Sequence, residues 1–309
     1  MPLNVSPRDF IHPEDQAALD NLRSIPLFAE CLQAFMKLVP ERLLHGLNMA
    51  QKIRLGPEQL PDLYRYLPVA CEALSISQPE LYLEMDPLPN AYTYGDKQPF
   101  VTITSGLVEH LEEREIQTVV AHECGHIACQ HTLYHTMAAL LAMVGPAIFG
   151  PLAALSLPVQ LGLRYWARRS ELSADRAAAA VMGGAQPVVD SFIRLAGGPK
   201  SITSKINLDL YMQQTEAYDK LMESQWDQLL QGLVVMGRRH PLLAVRAREI
   251  TKWCESDHFR RIVAGEPPPA APGTPDGAAA CPNCGRPLQP DWKFCRHCGA
   301  QRPAPASAP

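Results

Sequence analysis

The chain has no excess of basic charge. Lys and Arg number 28 against 32 Asp and Glu, a net charge of −4. No broad positive surface is therefore expected for nucleic acid as a main partner. The first 15 residues lack an apolar run behind a basic stretch, since Pro2, Pro7 and Pro13 alternate there with Arg8, Asp9, Glu14 and Asp15. No secretory signal is read, and a reducing cytoplasm is the expected setting. Cys31, Cys71, Cys124, Cys129 and Cys254 are scattered, and in that setting they read as buried thiols rather than disulfides. No long internal repeat is found. Charged residues are only 19% of the 309, but hydrophobic residues reach 47%. That balance excludes a wholly disordered chain and suits one large domain with a small companion.

The pattern along the chain predicts an α+β, mainly helical fold with a small three-strand sheet. Residues 15–75 show helical periodicity interrupted by prolines. Leu81–Met85, Ala91–Tyr94 and Phe100–Thr104 read as strands, with a turn at Gly95-Asp96. Thr104 or Ser105 can cap a helix starting near Gly106. Further helices are expected over Glu112–Thr136, Leu163–Met182, Val188–Leu195, Leu208–Met236 and Pro241–Trp253. Pro, Ala or Gly fill 14 of the 17 positions from 264 to 280, the composition of a semi-extended linker. The expected organisation is a domain over 1–263, a linker over 264–280 and a small module over 281–300.

His122-Glu123-Cys124-Gly125-His126 lies within the predicted helix 112–136. At about 3.6 residues per turn, i and i+4 share a face, so both imidazoles can reach one zinc ion. Glu123 stands beside them, placed to take a proton from a zinc-activated water. A catalytic zinc needs three protein ligands and one open position. Position 132, where a third histidine would complete a metzincin motif, holds Thr132. A carboxylate from elsewhere is required, and Glu171-Leu-Ser-Ala-Asp175 is the best candidate. Glu171 could bind the metal while Asp175 orients a ligand histidine through its other N–H. A solvated helix face paired with Arg168, Arg169 and Arg176 is the competing reading of that stretch. On one continuous helix His131 and His135 would point away from the His122 face, as structural residues rather than ligands.

Thr136–Leu163 holds no Asp, Glu, Lys, Arg or His over 28 residues. One crossing of a membrane would put His126 and Glu171 on opposite sides, and two crossings need about 40 residues. Pro146, Pro151 and Pro158 break the run further. The expectation is a bent helical hairpin that either dips into one leaflet or packs inside the protein. If 136–163 inserts, the protein lies at the inner face of the cell membrane.

Cys281-x-x-Cys284 and Cys295-x-x-Cys298, with Gly285 and Gly299 after the pairs, have the spacing of a closed four-thiolate structural zinc site. A module this small has too little core, so the metal must supply its folding energy. Recruitment of a protein partner is its expected role and nucleic acid a weaker one. It resembles the zinc-ribbon tails of many bacterial proteins.

The main domain resembles the gluzincin metalloproteases typified by the HtpX heat-shock protease and the CAAX prenyl proteases. The resemblance spans roughly residues 60–250. It is carried in order by Asn90-Ala91-x-x-x-Gly95, the Val101–Leu107 stretch, His122–His126 with His131 following, Glu171-x-x-x-Asp175, and His240-Pro241 with Arg246. It implies a zincin-like core, with His122, His126 and Glu171 as zinc ligands, Glu123 as general base and Asp175 behind the ligands. It also implies that Asn90 and Ala91 contact substrate. His240 becomes a candidate donor to the tetrahedral oxyanion, and Arg246 a candidate to hold that oxyanion or a nearby carboxylate. Plainer readings stay open: Asn90 could close a turn, and His240 could cap a helix. The implied activity is zinc-dependent endoproteolysis of polypeptides, with a role in protein quality control at or near the membrane. One catalytic and one structural zinc are expected. The alternative is a non-catalytic zinc scaffold that binds partners through its cleft and ribbon. Unlike the membrane-integral members of that family, this chain lacks additional long apolar segments.

Overall fold

The computed structural model describes residues 5–26, 28–38, 41–149, 157–221 and 242–266. His240 and the four ribbon cysteines lie outside the described residues, as does most of the linker. In chain order, α1 (Pro7–Phe10), α2 (Pro13–Arg23), α3 (Phe28–Leu38) and α4 (Glu41–Gln51) lead into β1 (Ile53–Arg54). Then come α5 (Pro61–Tyr64), α6 (Tyr66–Ala73), β2 (Glu80–Glu84), β3 (Ala91–Tyr94) and β4 (Phe100–Thr104). After them follow α7 (Ser105–His110), α8 (Glu113–Ala128), α9 (Thr132–Phe149), α10 (Leu157–Met182), α11 (Gln186–Gly197), α12 (Lys200–Thr203) and α13 (Leu208–Leu221). Beyond the next undescribed stretch lie α14 (Leu243–Cys254) and α15 (Asp257–Val263).

The sheet has four strands in the order β1-β2-β4-β3, rather than three. The added strand, β1, is two exposed residues paired antiparallel with β2. It is too short for any alternation to announce it. β2 and β4 run parallel, while β3 and β4 form an antiparallel pair with Ala91 opposite Ile103 and Thr93 opposite Val101. Central β4 is buried throughout. On edge strand β3 burial alternates, with Ala91 and Thr93 turned inward. Thr104 ends β4 and caps α7, its Oγ1 accepting from the Leu107 N–H at 3.2 Å.

The predicted helix 112–136 is two helices. α8 stops at Ala128, and Gln130 takes a left-handed φ of 59° before α9 begins. No Gly or Pro marks this break. The His131 N–H donates to the His126 carbonyl at 2.9 Å across the turn, so His131 folds back beside the motif. The expectation that His131 and His135 point away from it therefore fails, because it assumed a continuous helix.

α8 opens with Glu115 accepting from the Glu112 N–H at 2.9 Å and pairing with Arg194 of α11 at 3.0 Å. Its motif turn lies against α10 at unusually close range. A Cβ on Gly125 would stand 2.6 Å from the Ala177 Cβ and 3.1 Å from the Ala174 Cα. Glycine at 125 and alanine at 174 and 177 thus let two helix backbones approach and bring their side chains to one point. The main core surrounds this pair, with Val120 and Cys124 of α8, Ala178 of α10, Val101 and Ile103 of β4, Phe192 of α11 and Trp253 of α14.

A second core gathers Ala18, Leu22, Phe28 and Phe35 of α2 and α3 with Met137, Leu141, Val159, Leu163 and Trp166. Met137 and Leu141 at one end of the uncharged 136–163 run, and Val159 and Leu163 at the other, are therefore packed inside the protein, while Leu157 and Leu161 are exposed. Among the described residues no helix is long and apolar enough to cross a membrane. Of the five scattered cysteines, all free, Cys71 and Cys124 are buried and the other three half-buried.

Candidate metal centre

His122 and His126 sit one turn apart on α8, with Nε2 atoms 3.2 Å from each other. Glu171 reaches them from α10, Oε1 lying 3.3 Å from His126 Nε2 and Oε2 3.7 Å from His122 Nε2. All three side chains are buried. Metal–ligand bonds of about 2.0–2.2 Å at tetrahedral angles separate ligand atoms by about 3.3–3.6 Å. The three separations fall close to that edge length, and two neutral imidazoles with one carboxylate are a donor set suited to zinc. The residues fit the ion.

Asp175, one turn after Glu171, places Oδ1 3.0 Å from His122 Nδ1, the ring nitrogen turned away from Glu171. Arg246 of α14 ties both acidic residues. Its Nη1 is 2.7 Å from Glu171 Oε2, its Nη2 2.6 Å from Asp175 Oδ1, and its Nε donates to Asp175 Oδ2 at 2.8 Å. The guanidinium also lies over the Phe192 ring at 4.6 Å. Among the described residues its ion pairs are with these two carboxylates. Burial pushes the His122 imidazole toward neutrality, against the pull of Asp175 and Glu171. Burial alone would raise the Asp175 carboxyl, but the Arg246 charge outweighs it and holds that carboxyl below its usual range. Arg246 remains charged, since Asp175 and Glu171 overcome its own burial.

Glu123 is buried beside the histidines, and Thr93 of β3 donates to its Oε2 at 2.5 Å. Asn90 and Ala91 line a small pocket of about 30 Å³ with Leu107, His122, Glu123 and Phe192. Among the described residues Asn90 Nδ2, which is buried, has no hydrogen-bond partner. A buried amide N–H₂ left unpaired is costly, and an acceptor brought into the pocket would satisfy it.

Sequence reasoning missed two further groups. Thr93 carries no signal beyond alternation on a strand. Asp15 comes from the N-terminal stretch in which no chemistry was read. It is buried on α2, accepts from Trp166 Nε1 at 3.0 Å and Ser173 Oγ at 2.5 Å, and lies 3.0 Å from His131 Nε2. His131 Nδ1 in turn is 3.0 Å from His126 Nδ1. His135 stands beside them with Nε2 2.9 Å from Ser170 Oγ.

A family model described as "Peptidase family M48" matches residues 61–254, and a zinc-ribbon domain model matches residues 278–301. The chain is 36% identical over 259 residues to the "Plastoglobule-localized metallopeptidase 48, chloroplastic" of Arabidopsis thaliana, covering 82% of this chain and 75% of that one. A "Protease HtpX homolog" of Caldanaerobacter subterraneus is 31% identical over 99 residues, 31% of this chain and 33% of its own. Another, from Burkholderia ambifaria, is 27% identical over 199 residues, 56% of this chain and 69% of its own. No solved structure matches.

Proposed function

The chain belongs to peptidase family M48 and is a zinc metallopeptidase, and on that premise we propose that it is an endopeptidase whose catalytic zinc is held by His122, His126 and Glu171. The observation that carries this is the triangle of 3.2, 3.3 and 3.7 Å among two imidazole nitrogens and a carboxylate. The ion supplies Lewis acidity toward water and toward the scissile carbonyl. Asp175 keeps the proton of His122 on Nδ1 and so leaves Nε2 for the metal. Arg246 neutralises part of the acidic charge, holding Asp175 by a two-pronged contact and Glu171 by a single one.

Glu123 is the general base. It takes the proton of the attacking water and later gives it to the leaving amine. Thr93, donating to one Glu123 oxygen, holds the carboxylate in place. Asn90 Nδ2 donates to a substrate carbonyl or to the oxyanion that forms from it. The substrate chain runs past β3, the edge strand, with Ala91 against it. His240 keeps its proposed place as a second oxyanion donor. A second, structural zinc is held by Cys281, Cys284, Cys295 and Cys298, and that ribbon recruits a protein partner or the substrate.

The test is Glu123→Ala. It is expected to retain zinc at this site and to lose cleavage of an unfolded protein, in which wild-type activity is abolished by a chelator. Undiminished cleavage by the zinc-loaded variant overturns the assignment.

A further inference from the structure

Each ligand histidine has a second ring nitrogen, and what that nitrogen meets decides which tautomer is available to the metal. His122 Nδ1 meets Asp175 directly. His126 Nδ1 meets His131 Nδ1 at 3.0 Å, and His131 Nε2 lies 3.0 Å from Asp15 Oδ2. We infer that Asp15 and His131 form a relay that positions His126 for the metal, so that α2, outside the stretch matched by the peptidase family model, is part of the metal centre. This rests on the reading of His126 as a zinc ligand through Nε2.

The proton positions follow one from another. With Nε2 of His126 turned to the metal, its remaining proton is on Nδ1. His131 must then accept with Nδ1, and its own proton is on Nε2, facing Asp15. Asp15 accepts that proton together with those of Trp166 Nε1 and Ser173 Oγ. Three donors on one buried carboxylate fix its position, and the fixed carboxylate fixes the His131 ring. The T-shaped contact of His131 with Trp166, 5.3 Å between ring centres, leaves that ring little room to turn.

His126, His131 and His135 also lie close enough to hold an ion of their own. That arrangement would need His126 to lose both protons and bridge two metals. His135 Nε2 already has Ser170 Oγ as a partner, and the His126–His131 distance is that of an ordinary hydrogen bond. The relay gives the His126 and His131 rings one proton apiece and is the simpler assignment. Asp15 and His131 are thus positioning residues, which touch neither substrate nor metal.

The experiment is a cobalt(II) titration of the metal-free full-length protein. It is followed by visible d–d absorption without thiolate charge transfer, which separates this site from the ribbon. His131→Leu should weaken cobalt binding by about 10–100-fold, the range for loss of a ligand's outer partner. Asp15→Asn should weaken it in the same direction by less. His131→Asn should fall between wild type and His131→Leu, because its amide can still accept from His126 but does not reach Asp15. A purely structural role would instead lower the melting temperature of the metal-free protein and leave cobalt affinity unchanged. Unchanged affinity in both Asp15→Asn and His131→Asn overturns the relay, as does uptake of two cobalt ions at the histidine centre. His122→Ala separates the two readings. If it still binds cobalt here, the ligand assignment fails; if it does not and the Asp15 and His131 variants bind normally, the relay alone fails.

Discussion

Gly125→Ala adds one methyl group where α8 crosses α10, and the structure fixes what that methyl meets. It would stand 2.6 Å from the Ala177 Cβ, 3.1 Å from the Ala174 Cα and 3.2 Å from the Ala174 carbonyl oxygen. Ordinary carbon contacts lie at about 3.5–4.0 Å, so the helices must part by about 1 Å. Neither neighbour can rotate aside, since one is an alanine methyl and the other is backbone. Helix propensity favours the substitution by about 0.8–1 kcal/mol. Overpacking opposes it by about 1–3 kcal/mol. Net destabilisation of the metal-free protein should therefore be small, about 0–2 kcal/mol.

The effect on metal binding should be larger. His122 and His126 stand on one helix and Glu171 on the other, and metal bonds tolerate displacements of only about 0.2 Å. Gly125→Ala should weaken metal binding on the order of tenfold or more, as loss of ligand positioning does. Removing the opposing methyl in Gly125→Ala/Ala177→Gly should restore part of the affinity, although Ala174 stays in place. The two sites touch, so a coupling of about 1–2 kcal/mol is expected between them. Metal titration and thermal unfolding of the four proteins measure each quantity separately. Wild-type affinity in Gly125→Ala, or additive effects of the two substitutions, would refute the claim that this crossing sets the ligand geometry.

Arg246→Met leaves Asp175 and Glu171 buried without their counter-charge and should cost about 3–5 kcal/mol in urea unfolding of the metal-free protein. Asp175 is held below its usual range in the folded state. Its contribution is therefore present above the unfolded carboxylate value of about 3.9 and lost as pH falls through the folded one. The difference between wild type and Arg246→Met should be full at neutral pH and shrink in acid; a difference that grows in acid contradicts this sign. Elemental analysis should find two zinc ions per chain, one lost in His122→Ala and the other in Cys281→Ser. The latter should cleave a short peptide at the wild-type rate.

The parts of the site legible in the sequence were those governed by helical spacing. His122 with His126, and Glu171 with Asp175, are each one turn apart, and local geometry alone puts each pair on one face. Strands β3 and β4 were legible because alternation or a turn bounded them. What escaped depends on tertiary placement. Asp15 meets His131 across more than a hundred residues, and no spacing rule reaches that far. The break after Ala128 escaped because Gln130, neither glycine nor proline, takes the left-handed conformation. Misreading that break as continuous helix is what turned His131 away from His126. β1 escaped because two exposed residues have no pattern.

The three proposed ligands stand in a site that is both buried and acidic. Glu123, Glu171 and Asp175 are all buried, and among the described residues Arg246 is the cation that pairs with two of them. Burying carboxylates this close together is costly unless positive charge accompanies them. His122 offers no relief, because burial keeps its imidazole toward the neutral form. A divalent ion held by the two imidazoles and Glu171, as proposed, would add positive charge there. Asp15, one imidazole further out, is met instead by three hydrogen-bond donors. The proposed ion would thus also act as a counter-charge that helps α8 and α10 bury these carboxylates face to face. Metal binding and the packing of those two helices must strengthen each other.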